Sequence, residues 1–200
     1  KILSAYHQYH AVKKALETTI NALGKSKKIG VFWHTQGSGK SLSMLFLVHL
    51  LINRLSNPTI IVITDRNDLD DQLYSQFAKC SDFLRTSPIK VKDGASLTKL
   101  LEKTTYGGIF FTTMQKFEEN DHALSLRDDI IVMADEAHRS QYGLGEKLDV
   151  DTGKMKRGYA RLIRDTLPNA TFIGFTGTPI SAKDHDTTEV FGEVIDTYDM

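Results

Sequence analysis

The chain has 200 residues, of which 40% are hydrophobic and 25% charged, and its formal net charge is zero. This is the profile of one globular domain, and the balanced charge gives no global sign of a nucleic-acid binder. The longest apolar stretch, Leu42 to Ile52, is interrupted by Ser43 and His49 and is too short and polar to span a bilayer. A single cysteine, Cys80, excludes an internal disulfide and suits a reducing cytosol, so we expect a cytoplasmic protein. Because the chain begins at Lys1, we expect it to be part of a longer polypeptide.

In chain order, helical patterns alternate with short apolar runs. Helices are predicted over 7–23, 39–54, 66–80 and 96–102, and strands over 29–33, 59–63, 89–92, 108–111, 130–134 and 170–175. Fully apolar strands that alternate with helices predict a mainly parallel sheet with helices on both faces. The phenylalanines in these strands are expected in the core. The stretch 143–158 is the least regular and predicts an exposed loop or a hairpin that turns at 151–153.

Five of the apolar runs end in a compact polar cluster: HTQGSGKS (34–41), TDR (64–66), TTMQ (112–115), DEAH (135–138) and TGTP (176–179). The carboxyl ends of parallel strands lie along one edge of a sheet, which is where α/β folds bind ligands. The five clusters therefore predict one continuous site within a single domain over 1–200.

The first cluster has the ending of a phosphate-binding loop, although His34 stands where glycine is usual. Gly37 and Gly39 let the backbone approach a polyphosphate closely, and the helix that follows adds its positive end. Lys40 can reach the β- and γ-phosphates of ATP, and the Ser41 hydroxyl can ligate Mg²⁺. The alternative is a glycine turn followed by an ordinary helical lysine. Gln36 and Ser38 complete the predicted nucleotide loop.

The fourth cluster follows an apolar strand, as a second nucleotide-site motif would. Asp135 is expected beside the phosphate loop, where it can hold Mg²⁺ through water. Glu136 is placed to orient or deprotonate the attacking water, so Glu136 and Lys40 are the predicted catalytic residues. Without the phosphate loop, Asp135 and Glu136 would be interpreted as acidic residues at the start of a helix, where negative charge is favourable.

GSGKS, DEAH and TGTP in this order resemble motifs I, II and III of superfamily 2 helicases and translocases. The segments 7–15, 33–44, 62–73, 134–143, 170–180 and 191–200 resemble the motor and endonuclease subunit of type I restriction enzymes. This resemblance implies the first RecA-like lobe of a P-loop NTPase motor that uses ATP and Mg²⁺. It also implies double-stranded DNA and the specificity and methyltransferase subunits as partners, with a second motor lobe and the nuclease domain elsewhere.

The same resemblance implies further roles, each with a structural alternative. Gln8 would recognise adenine, or would be a solvated helix residue. Arg66 would pair with a DNA phosphate beside Thr64, or would cap the acidic helix after it. Thr113 and Gln115 would contact the DNA backbone, or would only end a strand. Three residues would couple ATP to DNA movement, although a lone histidine is more often a core residue: His138, Thr176 and Thr178.

We therefore expect an ATP-dependent duplex translocase that is coupled to cleavage in the parent enzyme. Phosphoryl transfer commonly needs an arginine from across a lobe interface, so the chain alone should bind ATP but hydrolyse it poorly. Two other functions remain open: a strand-separating DNA or RNA helicase outside restriction, and a module whose nucleotide state gates assembly.

Overall fold

The computed structural model describes residues 4–64, 67–117, 122–137, 146–148, 155–157, 159–178 and 185–199. Its first half contains α1 (Tyr6–Ala22), β1 (Lys28–His34), α2 (Lys40–Arg54), β2 (Thr59–Thr64), α3 (Asn67–Ala78), α4 (Ser81–Leu84), β3 (Ile89–Lys90) and α5 (Gly94–Lys103). Its second half contains β4 (Ile109–Thr113), a 3₁₀ turn (Met114–Phe117), β5 (Ile130–Ala134), β6 (Glu146–Leu148), β7 (Met155–Arg157), α6 (Tyr159–Thr166), β8 (Thr171–Thr176), α7 (His185–Phe191) and β9 (Val194–Tyr198).

Seven of the described strands form one sheet in the order β3-β4-β2-β5-β8-β1-β9. Every neighbouring pair in this sheet is parallel. The predicted parallel α/β architecture is therefore confirmed. Because all the strands run in the same direction, their carboxyl ends lie along one edge, called here the carboxyl edge, and their starts lie along the amino edge.

Helices cover both faces of the sheet, and the alternation of side chains along β2 shows how. Ile60 and Val62 belong to one buried cluster, which includes residues of α1, α2 and α3. Ile61 and Ile63 belong to another, which includes residues of α5, α6 and α7. A strand that is buried on both faces is apolar along its interior, as the four residues 60–63 of β2 are. The phenylalanines of β4 and β8 are also buried, which confirms their assignment to the core: Phe110, Phe111, Phe172 and Phe175.

The structure also departs from the predicted elements. The single helix expected over 66–80 ends at Ala78, and the separate short helix α4 follows. The helices α6 and α7 were not predicted, and neither was β9, which adds an edge strand beside β1. Within 143–158, β6 and β7 pair antiparallel, as a hairpin requires. The expected turn at 151–153 lies outside the described residues. None of the described helices is long and apolar enough to cross a membrane.

Candidate nucleotide site

The polar clusters after β1, β2, β4, β5 and β8 share the carboxyl edge, because these strands are parallel neighbours in one sheet. Their backbones are joined beyond the strand ends. The Asp135 N–H donates to the Ile63 carbonyl at 2.9 Å, and the Ala137 N–H donates to the Phe175 carbonyl at 2.9 Å. The start of the acidic cluster is therefore anchored to the strands on either side of β5.

The loop 34–41, called here the phosphate loop, has the backbone that its glycines predict. Gly37 and Gly39 have φ angles of 90° and 82°, in the region that favours glycine. A Cβ atom on Gly39 would also lie 2.3 Å from the Gln8 amide nitrogen. His34 is the last residue of β1 and is not among the residues with positive φ. A histidine fits there because no left-handed backbone is needed until Gly37.

Gln8 is buried, with 4% of its surface exposed, so its reading as a solvated helix residue is wrong. Its amide nitrogen donates to the carbonyls of Ser38 at 3.3 Å and Gly39 at 3.1 Å. Its side-chain oxygen accepts from the Ala5 N–H at 2.9 Å. Gln8 thus holds the phosphate loop against the start of α1, and recognition of adenine by the same amide stays a prediction.

The two residues predicted to be catalytic meet directly. The Lys40 ammonium group lies 3.1 Å from Glu136 Oε1, with the lysine side chain 11% exposed and the glutamate 21%. Lys40 also lies against the cluster after β8, since a Cβ added to Gly177 would be 2.8 Å from its Nζ. Three strand-end clusters therefore converge on one largely buried cation, as a site for the terminal phosphates requires.

Glu136 has a φ of 54°, which is uncommon for a residue other than glycine. Its N–H donates to the neighbouring Asp135 Oδ1 at 3.0 Å. This left-handed backbone turns the chain immediately after β5 and leaves the Glu136 side chain in contact with Lys40. Backbone of this kind is found where function requires an orientation that ordinary geometry does not give.

Buried polar side-chain atoms without a hydrogen-bond partner concentrate at this edge. Among the described residues there are six such atoms, and five lie at the ends of β1 and β2 or in the phosphate loop: Trp33 Nε1, His34 Nδ1, Thr35 Oγ1, Ser38 Oγ and Thr64 Oγ1. An unpaired buried polar group costs about 1–3 kcal/mol, so such groups are rare unless water or a ligand satisfies them. Their concentration fits a site for a polar ligand, and the Ser41 hydroxyl and Asp135 carboxylate supply the oxygen ligands that Mg²⁺ prefers.

Two of the predicted coupling residues lie in the cluster after β8. The Thr176 hydroxyl accepts from the Thr178 N–H at 3.1 Å, which gives this cluster a tight turn.

Burial separates the residues that were predicted to contact DNA. Thr64 and Thr113 are 0% and 3% exposed, so neither presents a surface for a DNA backbone in this conformation, whereas Gln115 is exposed. Thr112, also buried, is equally inaccessible. Arg66 and His138 lie outside the described residues, and their roles stay predictions.

Sequence reasoning missed three residues that contact the phosphate loop or its base: His7, Asp196 and Tyr198. Asp196 and Tyr198 lie in β9, which pairs with β1, so they became visible only with the sheet order. His7 directly precedes Gln8, and its position one residue from a predicted site residue was the available signal.

A family model described as SWI2/SNF2 ATPase matches residues 7–200. The chain is 51% identical over its whole length to the type I restriction enzyme HindI endonuclease subunit of Haemophilus influenzae. The resemblance inferred from the motifs is thereby confirmed. The match covers 20% of that relative, so the chain spans about a fifth of the length of the curated proteins it resembles.

Two solved structures share the fold. The Pyrococcus furiosus Hef helicase domain aligns with a TM-score of 0.65 at 16% identity, covering 98% of this chain and 38% of that one. The Sulfolobus solfataricus SWI2/SNF2 ATPase core in complex with double-stranded DNA aligns with a TM-score of 0.63 at 14% identity, covering 96% and 37%. One is a helicase domain and the other an ATPase core, and the fold that they share with this chain confirms the predicted RecA-like fold.

Proposed function

The chain belongs to the SWI2/SNF2 ATPase family, and from this premise we propose that it is the ATP-hydrolysing motor lobe of a type I restriction endonuclease subunit. Its cycle of ATP binding and hydrolysis would move the parent enzyme along duplex DNA before cleavage. The observation that carries this proposal is the convergence of the phosphate loop, the acidic cluster and the cluster after β8 on Lys40.

For the nucleotide, residues 36–41 would wrap the β- and γ-phosphates, with Lys40 balancing their charge. Glu136 would release Lys40 to the phosphates and accept a hydrogen bond from the attacking water, which orients the water for in-line attack. Ser41 and Asp135 would hold Mg²⁺, which supplies further positive charge on the phosphate oxygens. Gln8, already in contact with the loop, would read the adenine.

Lys40 is one cation, whereas the charge that develops in phosphoryl transfer is spread over several oxygens. We propose that an arginine from a second motor lobe completes the site, so that full turnover needs both lobes. The two lobes therefore contribute differently to the reaction. This chain supplies nucleotide binding and positioning of the water, and the second lobe supplies the remaining positive charge.

For the partner, the proposal is double-stranded DNA, with the specificity and methyltransferase subunits of a restriction-modification complex. The support is the 51% identity to a type I restriction endonuclease subunit and a fold shared with an ATPase core bound to duplex DNA. Of the described residues predicted to contact DNA, Gln115 at the carboxyl edge is the exposed one, so a backbone contact is assigned to it. Reading of the DNA target would belong to the specificity subunit.

The test is ATP hydrolysis by the full-length protein assembled with its neighbouring subunits. Three DNAs are compared: closed circular duplex with a recognition site, the same duplex without one, and single strands. We expect strong stimulation only by the site-bearing duplex. Equal or greater stimulation by single strands would replace the proposal with a strand-separating helicase. ATP binding without hydrolysis on any DNA would replace it with a nucleotide-gated assembly module.

A further inference from the structure

The phosphate loop is held from one side by the start of α1. His7 Nε2 donates to the Ser38 carbonyl at 3.2 Å, next to the two hydrogen bonds from the Gln8 amide. Ser38 is buried, with 6% of its surface exposed. Three side-chain hydrogen bonds from two consecutive residues therefore converge on two consecutive carbonyls at the tip of the loop.

The loop is held from the other side by β9. At its base, His34 Nε2 donates to Asp196 Oδ2 at 2.9 Å, and the Thr35 N–H donates to the Tyr198 carbonyl at 3.0 Å. The Tyr198 ring stacks on the His7 ring, with centroids 3.9 Å apart and planes 9° from parallel. Asp196 thus acts on the base of the loop, while Tyr198 acts on its tip through His7.

The histidine that replaces glycine is suited to this link. His34 is fully buried beside Phe32, with ring centroids 4.2 Å apart, and burial lowers its pKa below 6.5 although Asp196 opposes the shift. A neutral imidazole with its proton on Nε2 keeps the hydrogen bond to the Asp196 carboxylate. Glycine at this position would remove both the ring packing and the hydrogen bond, and would leave only backbone pairing to hold the base of the loop to β9.

We propose that His34 and His7 are positioning residues that fix the phosphate loop against β9, so that Asp196 and Tyr198 set the affinity of the loop for ATP. This inference rests on the proposed nucleotide function. None of the four residues is assigned contact with the reacting atoms. Their contribution is to hold the Ser38 carbonyl at the tip of the loop and His34 at its base, so that the loop keeps one shape and ATP binding does not have to order it.

The test uses the full-length protein and two matched pairs of variants in β9. Asp196→Ala removes the acceptor for His34, whereas Asp196→Asn keeps an oxygen there. Tyr198→Ala removes the ring that supports His7, whereas Tyr198→Phe keeps the stack. Thr197→Ala, at an exposed position between them, controls for substitution in β9. The measurements are Kd for a non-hydrolysable ATP analogue with Mg²⁺, and KM and kcat for ATP in the presence of DNA.

We expect both alanine variants to raise Kd and KM about 3- to 10-fold, because each variant loses one hydrogen bond or one ring stack. The kcat should stay within about twofold of the value for the unchanged protein. Asp196→Asn, Tyr198→Phe and Thr197→Ala should bind like the unchanged protein. If folded alanine variants bind ATP normally, or lose kcat at unchanged KM, the positioning role is wrong. Should Asp196→Ala fail to fold, the Tyr198 pair decides alone by the same criteria. Failure of the unchanged protein to bind nucleotide would instead refute the proposed function.

Discussion

The two edges of the sheet use their polar residues in opposite ways. At the amino edge, the Arg127 guanidinium binds both carboxylate oxygens of Asp129 at 2.8 and 2.5 Å, the Thr59 hydroxyl at 2.6 Å and the Thr104 carbonyl. Lys27 there donates to two oxygens of the turn 168–169, each at 2.9 Å. The carboxyl edge instead holds five of the six buried polar side-chain atoms that lack a partner among the described residues.

This difference separates stability from function within one sheet. The Arg127 and Lys27 side chains at the amino edge are matched within the chain, so their hydrogen bonds contribute to folding. The groups at the carboxyl edge and the left-handed backbone of Glu136 reduce stability unless something outside the chain compensates. We therefore expect substitutions at the carboxyl edge to change nucleotide chemistry, and substitutions at the amino edge to change the free energy of unfolding.

The largest effect is expected from Glu136→Gln. Removal of the carboxylate that orients water should lower ATP turnover by about 10²- to 10⁴-fold, while ATP binding is retained because Lys40 remains. The full-length protein is assayed for DNA-stimulated hydrolysis and for nucleotide affinity. Glu102→Gln, at an exposed position of α5, is the matched control and should turn over normally. Normal turnover in Glu136→Gln would show that another group handles the water.

Two lysines sharpen the comparison between the edges. Lys40→Ala should weaken ATP binding by about 10- to 100-fold, the value of a charged hydrogen bond, without unfolding the domain. Lys27→Ala, at the amino edge, should leave Kd unchanged. Titration with a fluorescent ATP analogue measures both variants, and circular dichroism checks their folding. Equal affinities in the two variants would remove the phosphate-loop assignment.

Arg127→Ala tests the amino edge. Loss of its hydrogen bonds to Asp129, Thr59 and Thr104 should lower the free energy of unfolding by about 1–3 kcal/mol, because the partners left behind are partly buried. Chemical denaturation measures the loss, and Kd for ATP should not change. A variant as stable as the unchanged chain would contradict the assignment of a structural role to this edge.

The smallest effect concerns pH and His34. Burial holds the pKa of His34 below its unfolded value of 6.5, so the folded chain binds fewer protons at this residue. Its contribution to stability is therefore complete above pH 6.5 and decreases as pH falls towards the folded pKa, by at most about 1.4 kcal/mol per pH unit. Denaturation of the chain and of His34→Asn at pH 7.5 and 5.5 gives the difference. An identical pH dependence in both would contradict this origin.

Sequence reasoning predicted the carboxyl edge well because its information is local. The apolar run before Asp135 and the GSGKS loop each specify a strand, a turn and a polar group within about ten residues. The burial of Phe110 and Phe175 followed from the same patterns. Which side chains of a strand are buried could be predicted without knowing its neighbours, because both faces of the sheet are covered.

What the sequence did not reveal depends on contacts between distant segments. His34 and Asp196 are 162 positions apart, and only the placement of β9 beside β1 brings them together. The burial of Thr64 and Gln8 likewise depends on how neighbouring elements pack, and local polarity suggested exposure instead. The Arg127 network joins the segment before β5 to the end of α5 and the start of β2, none of which carries a recognisable motif.

Hydrogen exchange of backbone amides in the full-length protein, with and without Mg²⁺ and a non-hydrolysable ATP analogue, tests the central claim that ligand binds at the carboxyl edge. We expect slower exchange over 34–43, 135–137 and 176–178, and unchanged exchange over 57–59 and 126–129 at the amino edge. If saturating nucleotide slows exchange at the amino edge, or leaves exchange over 34–43 unchanged, the assignment of the ligand site to the carboxyl edge is contradicted.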